Sequence, residues 1–223
     1  MEKEIRNLLP KDCEIRVAAE GRTVEGYAIV FNSESRDLGG FREVILPEAV
    51  EGVIENSDIL ALLNHNLDRG VLARSTNGQG SLRLKVDSKG MLYAFSAPKT
   101  TLGDEVVEGI QRGDIRTSSF AFTIAEDGEQ WTKRGDEYLR TITKFEALYD
   151  VSAVYKEAYE DTSVALRSFD NIKENIPSDI VKAEPEPVIE EPIIEPTEED
   201  NTESVEDFET RYLKQLDTYF RNT

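Results

Sequence analysis

Short runs of alternating apolar and polar residues, separated by residues that favour turns, recur from position 14 to position 155. In the clearest pair, residues 82–86 and 91–95 are strand-like and the turn sequence Asp-Ser-Lys-Gly joins them. A period of two is typical of strands that bury one face, and this turn chemistry favours a hairpin. The period changes to that of a helix at residues 48–54 and 102–110. The sequence therefore predicts a mainly β fold with two helices.

The order of these elements restricts the architecture further. The strand–helix–strand repetition of a doubly wound parallel sheet is not visible, because the two helices interrupt long series of strands. We therefore expect a closed or nearly closed antiparallel β-barrel with peripheral helices, an α+β class in which strands predominate. The 223 residues allow one domain of ordinary size and an appendage.

The alternation ends near residue 168, and the remaining chain has a different composition. Residues 169–223 contain 16 acidic and 5 basic residues, so more than half of the net charge of −19 lies in this segment. Residues 169–203 are rich in Pro and Glu, which predicts an extended or disordered linker. Residues 204–223 return to helical spacing, which predicts a terminal amphipathic helix. Such a helix can dock on a partner or fold back on residues 1–168, and the sequence favours neither.

Composition also argues against several classes of protein. A net charge of −19 disfavours nucleic acid as a partner, because a phosphate backbone requires a basic surface. No apolar run approaches the length of a membrane helix, and the first residues lack the apolar segment of a signal peptide, so we expect no membrane contact and a cytoplasmic location. The lone Cys13 has no second cysteine for a disulfide or a metal site, and we expect no cofactor.

Three polar residues stand out against the strand-like runs around them. His65, the one histidine, follows an apolar run of strand length, and its imidazole can exchange a proton near neutral pH. Ser119 lies in a strand-like run whose alternation places it on the opposite face from Phe120 and Phe122. We expect the face that carries Ser119 to be open to a substrate. Asp150 interrupts another apolar run, although strands are depleted in Asp.

Each of these residues also has an ordinary structural explanation. A histidine at a strand end is often a surface residue, most serines in strands have no catalytic role, and a carboxylate is tolerated on a solvent-facing edge. The neighbouring Ser118 is expected to lie under the aromatic side chains. Together, however, the three residues meet the requirements of covalent acyl transfer, in which an imidazole takes the hydroxyl proton and a carboxylate holds the imidazole. Their order, His-Ser-Asp, differs from that of chymotrypsin, subtilisin and the α/β-hydrolases, which excludes those folds.

Several short motifs resemble one family when they are taken together. They are Gly-Tyr-Ala-Ile-Val-Phe at 26–31, Phe-Arg-Glu-Val-Ile-Leu-Pro-Glu-Ala-Val at 41–50, Leu-Leu-Asn-His-Asn at 62–66, Ser-Phe-Ala-Phe at 119–122, Tyr-Asp-Val-Ser-Ala-Val at 149–154 and Ala-Tyr-Glu-Asp-Thr at 158–162. Their order and spacing resemble the prohead proteases of tailed bacteriophages, serine peptidases related to the herpesvirus maturational protease. Two departures are that phage relatives often have Gly where this chain has Ala121, and that the paired oxyanion arginines of the herpesvirus enzymes have no clear counterpart near residues 157–161.

The resemblance implies a protease domain in residues 1–168, with His65 as general base, Ser119 as nucleophile and Asp150 in the position of the third member. It also implies a protein substrate, the scaffolding region of the major capsid protein, which is cleaved inside the prohead in the host cytoplasm. Self-cleavage, self-association and a tail that carries the enzyme into the assembling shell are further expectations.

Two other classes stay open on the sequence alone. A non-enzymatic scaffold or assembly chaperone would use the same domain to bind capsid protein, and it would tolerate the loss of His65. A metal-dependent hydrolase has less support, because one histidine and no cysteine cluster leave only carboxylates to complete a catalytic zinc site.

Overall fold

The computed structural model describes residues 2–18, 21–135, 137–155 and 169–170. Within these ranges the strands are β1 (Glu4–Asn7), β2 (Arg16–Val17), β3 (Thr23–Val30), β4 (Phe41–Ile45), β5 (Asp58–Leu63), β6 (Ala73–Thr76), β7 (Gln79–Gly80), β8 (Arg83–Val86), β9 (Gly90–Ser96), β10 (Thr117–Ile124), β11 (Glu129–Arg134), β12 (Glu137–Ile142) and β13 (Phe145–Val154). The helices are α1 (Pro10–Cys13), α2 (Val53–Asn56) and α3 (Thr101–Gln111), with 3₁₀ turns at Pro47–Val50 and Leu67–Arg69. The prediction of a mainly β fold with few helices is confirmed.

The largest sheet positions the three candidate residues. It has six strands in the order β1-β10-β13-β5-β6-β7. Strand β13 pairs with β10 in antiparallel register and with β5 in parallel register. Because β10 carries Ser119, β13 carries Asp150 and β5 ends two residues before His65, the three side chains come from neighbouring strands.

The remaining described strands form two smaller sheets. One has the order β2-β3-β9-β8 and the other the order β11-β12-β4, in which β12 and β4 are parallel. The described residues form no closed barrel and include two parallel strand pairs, so the expectation of a closed, purely antiparallel barrel is wrong for them. A closed barrel requires its first and last strands to pair, whereas β1 and β7 lie at opposite edges of the six-stranded sheet. The parallel pairs join strands far apart in the chain, and local alternation carries no information about such pairing.

Local differences between prediction and structure have identifiable causes. The predicted helix at 48–54 is divided into a 3₁₀ turn and α2, because Gly52 adopts a left-handed backbone with a φ of 71°. Strand β1 escapes prediction because its buried face carries Glu4 and Arg6 while Ile5 is only partly buried, which reverses the usual pattern. Helix α3 lies where it is expected, and the side chain of its N-cap, Thr100, accepts a hydrogen bond from the third backbone N–H.

One apolar cluster contains buried side chains from all three sheets. Phe95 comes from the β2-β3-β9-β8 sheet and Ile142 from the β11-β12-β4 sheet, whereas Phe120, Phe122 and Phe145 come from the six-stranded sheet. The rings of Phe122 and Phe145 lie 4.5 Å apart between centroids, which is a favourable aromatic contact. The large aromatic side chains of β10 therefore face the core, as the alternation predicts, and Ser119 points to the opposite side.

A second, smaller cluster includes the first residue of the predicted acidic linker. The buried ring of Phe169 packs against Phe41, Trp131 and Tyr138, with ring centroids 5.0 to 5.8 Å apart. Beyond Asp170, the predicted linker and the predicted terminal helix lie outside the described residues. In the described part of the chain, no helix is long and apolar enough to span a membrane.

A buried network of charged side chains joins β1 to the β11-β12-β4 sheet. Arg6 donates two hydrogen bonds to the carboxylate of Glu43, both of 2.8 Å, and Arg140 donates to the two carboxylate oxygens of Glu4 at 2.8 and 2.9 Å. Arg140 also donates to Glu129 at 2.6 Å. Burial by itself raises the pKa of Glu4, but the hydrogen bonds and charges of the two arginines outweigh it and lower the pKa below its ordinary value.

We predict that Arg140→Ala destabilises the protein far more than Arg134→Ala, although both arginines lie on the β11–β12 hairpin. Arg140 is 1% exposed, and its loss leaves Glu4 with one fewer cationic partner in the interior, at a cost of about 3 to 5 kcal/mol. Arg134 pairs with Glu34 at the surface, where such pairs contribute less than about 1 kcal/mol. Urea unfolding of the two variants measures the difference, and equal losses would contradict the role given to the network.

Candidate active site

His65 lies on a tight turn that follows strand β5. Both Asn64 and His65 have left-handed backbone conformations, with φ values of 53° and 55°. Residues other than Gly adopt this conformation at a cost in free energy. Hydrogen bonds to the end of β13 hold the turn: Asn64 N–H donates to the carbonyl of Ala153 at 3.0 Å, and His65 N–H donates to the hydroxyl of Ser152 at 3.2 Å. The turn reverses the chain beside β13 and places the imidazole over the sheet face that carries Ser119 and Asp150.

The structure brings the three predicted residues together. Nδ1 of His65 lies 2.5 Å from Oδ1 of Asp150, and Nε2 of the same ring lies 2.6 Å from Oγ of Ser119. Both distances are within hydrogen-bond range, so one imidazole connects the carboxylate to the hydroxyl. A proton on Nδ1 is held by the carboxylate, which leaves Nε2 able to accept the hydroxyl proton.

The register of β10 and β13 explains why a serine and a carboxylate share this face. Ser119 lies opposite Ser152, and Ala121 lies opposite Asp150. Alternate residues of a strand point to the same side, so these four side chains lie on one face of the sheet. The face is lined by small residues apart from Asp150, which leaves room for the imidazole of His65.

Ser119 differs from the expectation that it is open to a substrate. Its exposed fraction is 0%, and its hydroxyl also donates to the carbonyl oxygen of Arg6 at 2.9 Å. Strand β1, which the sequence did not predict, pairs along β10 with Asn7 directly opposite Ser119. The expectation of an open face is therefore wrong, because an additional strand and the imidazole occupy the space beside the serine. A hydroxyl has one proton, so Ser119 donates either to Arg6 or to His65 at any moment.

Ser118 lies on the aromatic face, as expected. It is completely buried, and its hydroxyl forms a hydrogen bond of 2.9 Å with the hydroxyl of Tyr93. The side chains of the two adjacent serines thus lie on opposite faces of the sheet. Of the two, Ser119 is the one that forms a hydrogen bond with His65.

Asp150 is not on a solvent-facing edge, which was its ordinary structural explanation. It is 1% exposed in the middle of β13, and it accepts hydrogen bonds from Nδ1 of His65, from Ser152 at 2.8 Å and from Nζ of Lys3 at 3.2 Å. Burial by itself raises the pKa of Asp150. The hydrogen bond and charge of His65, the hydroxyl of Ser152 and the charge of Lys3 outweigh burial and lower the pKa below its ordinary value.

Sequence reasoning gave no role to Ser152 or Lys3. Ser152 is two residues beyond Asp150 on the same strand, so alternation alone places it on the same face, and that signal was available. Lys3 offered no comparable signal, because its contact depends on the pairing of β1 with β10. Among the residues that the structure describes, no group of three or more His, Cys, Asp or Glu side chains is arranged to hold a metal ion.

Comparison with known proteins places this mainly β chain, with its hydrogen-bonded Ser, His and Asp side chains, among proteases. The model of the caudovirus prohead serine protease family matches residues 11–175. The chain belongs to this family, whose members are proteases of the phage prohead.

The solved structure of the bacteriophage T4 capsid assembly protease, gp21, is similar to this chain with 14% sequence identity and a TM-score of 0.42, over 70% of this chain and 98% of that one. No curated protein matches the chain significantly.

We predict that Asp150 makes the stability of the fold depend on pH in the acid range. Because its pKa is lower in the folded chain than in the unfolded chain, its contribution is fully present above the unfolded pKa and is lost as the pH falls through the folded pKa. The difference in unfolding free energy between the wild type and Asp150→Asn should therefore be larger at about pH 7 than at about pH 3. Urea unfolding at a series of pH values measures it.

Asp58→Asn is the control for this measurement. The pKa of Asp58 is also lowered, chiefly by its hydrogen bond with Arg74, but this pair lies at the surface. Added salt should remove the effect of Asp58 and leave most of the effect of Asp150, since a buried pair is screened less. A difference between wild type and Asp150→Asn that does not vary with pH would contradict the assignment.

Proposed function

We propose that the protein is a serine endopeptidase that cleaves the scaffolding region of the major capsid protein inside the prohead, with Ser119 as nucleophile, His65 as general base and Asp150 as the carboxylate that orients the imidazole. The observation that carries the proposal is the continuous hydrogen-bonded chain from Asp150 through His65 to Ser119, with contacts of 2.5 and 2.6 Å. Membership of the prohead protease family supports the class of substrate.

In the proposed acylation step, Oγ of Ser119 attacks the carbonyl carbon of the scissile peptide bond. Its proton passes to Nε2 of His65 as the new C–O bond forms, and the carbonyl oxygen takes up the negative charge. Throughout the step, the Nδ1–H group of His65 donates a hydrogen bond to the carboxylate of Asp150. The carboxylate therefore stabilises the imidazolium without becoming protonated. The low pKa of Asp150 supports this role, because the carboxylate stays ionised over the whole neutral range.

In the following steps the imidazolium acts as the acid. Nε2 gives its proton to the leaving amine, the C–N bond breaks, and the amino-terminal part of the substrate remains as an ester of Ser119. Water then enters, loses a proton to Nε2 and attacks the ester carbon. As the bond between this carbon and Oγ breaks, Nε2 gives the proton to Oγ, which releases the carboxylic acid and restores the serine hydroxyl. Each half of the reaction begins with a neutral imidazole that acts as base and ends with an imidazolium that acts as acid.

Access to the serine requires a local rearrangement. A peptide carbonyl carbon must contact Oγ, but Ser119 is fully buried and its hydroxyl is shared with the carbonyl of Arg6. The imidazole of His65 is 15% exposed, so solvent reaches the site from the side of the histidine. Substrate binding must therefore replace the contact between Ser119 and Arg6 before attack, and we assign the described conformation to the resting state.

We predict that Ser119→Ala abolishes cleavage and that Ser118→Ala retains most of it. Each variant is expressed as the full chain together with the major capsid protein, and fragment masses are measured. Replacement of the nucleophile removes the covalent route and costs several orders of magnitude in rate, whereas Ser118 lies on the opposite face and contacts Tyr93. A fluorophosphonate probe provides a second measurement, since it should add its mass to Ser119 of the wild type and leave Ser119→Ala unmodified.

The same experiment tests the non-enzymatic alternative. A scaffold or chaperone would bind capsid protein without cleaving it, and His65→Ala would leave its assembly activity intact. Cleavage of the capsid protein by Ser119→Ala, or the absence of any cleavage and labelling by the wild type, would overturn the peptidase assignment. Self-cleavage is read from the same spectra as fragments of the protease chain.

We propose that residues 171–223 carry the protease into the assembling shell. Deletion of residues 171–223 should leave cleavage activity intact and reduce the amount of protease recovered in proheads. The deletion begins after Asp170 because the ring of Phe169 packs on Phe41 and Trp131 and belongs to the folded domain. Normal recovery in proheads would reject docking, and a lower free energy of unfolding for the truncated chain would favour a terminal segment that folds back on the domain.

A further inference from the structure

The hydroxyl of Ser152 contacts two of the three proposed catalytic residues. It donates to Oδ1 of Asp150 at 2.8 Å, accepts a hydrogen bond from the backbone N–H of His65 at 3.2 Å and lies 3.2 Å from Nδ1 of the imidazole. Its exposed fraction is 0%, so it does not contact solvent. None of the steps proposed above uses this hydroxyl.

The sheet fixes the position of Ser152 on both sides. It lies opposite Ser119 in β10 and opposite Leu62 in β5, so its backbone is held by two neighbouring strands. It is also two residues beyond Asp150 on β13, which places both side chains on the same face. The hydroxyl is therefore presented from a rigid part of the fold to the less regular turn that carries His65.

That turn requires support from outside. The left-handed conformations of Asn64 and His65 are individually unfavourable and persist only when surrounding groups hold them. The supporting groups include the carbonyl of Ala153, which accepts from Asn64, and the hydroxyl of Ser152, which accepts from His65. Since the imidazole is attached to this backbone, any shift of the turn alters the distance between Nε2 and Ser119.

The carboxylate of Asp150 needs an orienting partner as well. Its Oδ1 accepts from both Nδ1 of His65 and the hydroxyl of Ser152, while its Oδ2 accepts from Lys3. With donors on both oxygens, the plane of the carboxylate is fixed toward the imidazole. Without the Ser152 hydroxyl, Oδ1 keeps the hydrogen bond from His65 but loses the one from Ser152. The carboxylate then gains freedom to rotate.

We propose that Ser152 is a positioning residue of the peptidase, which holds the Asp150 carboxylate and the His65 backbone in register so that Nε2 stays within hydrogen-bond distance of Ser119. The proposal rests on the proposed function. The hydroxyl does not transfer a proton to the substrate; it keeps two reacting groups aligned. The contribution of Ser152 to the low pKa of Asp150 is consistent with this role.

The test compares Ser152→Ala with Ser118→Ala in the full chain. Both changes delete a completely buried hydroxyl that is bonded to another side chain, so both remove a similar structural contribution. The rate of modification of Ser119 by a fluorophosphonate probe is measured over a range of probe concentrations and pH. The maximal rate of Ser152→Ala should fall by about 10- to 100-fold, the range expected for a lost hydrogen bond to a charged group. The half-saturating concentration should not change, because Ser152 is buried.

The pH profile separates positioning from general stability. Loss of the Ser152 donor makes the Asp150 carboxylate easier to protonate, so the acid limb of the rate profile should move to higher pH in Ser152→Ala and stay in place in Ser118→Ala. The charged groups that contact Asp150, namely Lys3 just before β1 and His65 after β5, are the same in both variants. Equal rates and equal profiles for the two variants would overturn the proposal.

A second variant covers the case in which Ser152→Ala does not fold. Ser152→Cys has nearly the same shape but a much weaker donor and acceptor, so a purely structural role predicts wild-type rates and a positioning role predicts most of the loss. The two proposals fail in different ways: labelling of Ser119→Ala overturns the peptidase, whereas normal rates in both Ser152 variants overturn only the role of Ser152.

Discussion

Strand β13 pairs with β10 on one side and with β5 on the other, and the contacts among Ser119, His65 and Asp150 depend on this double pairing. The antiparallel register with β10 places Asp150 and Ser152 on the face that carries Ser119. The parallel register with β5 brings the turn after Leu63 to the end of β13, where a hydrogen bond from Asn64 to Ala153 holds it. A shift of one residue between β10 and β13 would place Ser119 and Asp150 on opposite faces of the sheet, and a shift between β5 and β13 would displace the turn that carries His65, so the chemistry requires both pairings together.

Strand β1 connects the candidate site to the most heavily charged part of the interior. The side chain of Arg6 belongs to the buried network with Glu43, while its carbonyl oxygen accepts the hydroxyl proton of Ser119. Lys3, three residues earlier, lies beside Asp150. Movement of this strand therefore affects the serine and the carboxylate at once, and it also disturbs ion pairs that are costly to break in the interior. The resting conformation is thus held by interactions distant from the reacting atoms, and the opening proposed for catalysis must be local.

Part of the candidate site was accessible to reasoning from residues alone. The alternation in β10 separates Ser119 from the aromatic face, and the structure confirms that separation, since Ser118 and Phe120 lie on the other side. The carboxylate of Asp150 stands out because strands are depleted in Asp, and the structure shows it buried and hydrogen-bonded to His65. The alternation of β13 also places Ser152 on the same face as Asp150. The burial of Ser119 was not accessible, because β1 buries its charged residues more deeply than its isoleucine, which reverses the pattern by which strands are recognised.

The strand-rich composition of the domain, the positions of most strands and of α3, and the three side chains of the candidate site follow from the amino-acid sequence. These properties depend on local periodicity and on the chemistry of single residues, which the order of amino acids specifies directly. Only the tertiary structure shows that the described strands form three sheets instead of one closed barrel, that β5 and β13 are parallel, and that β1 pairs beside Ser119. Those properties depend on pairing between segments far apart in the chain, where many registers satisfy the same alternation and only packing of the whole core selects one.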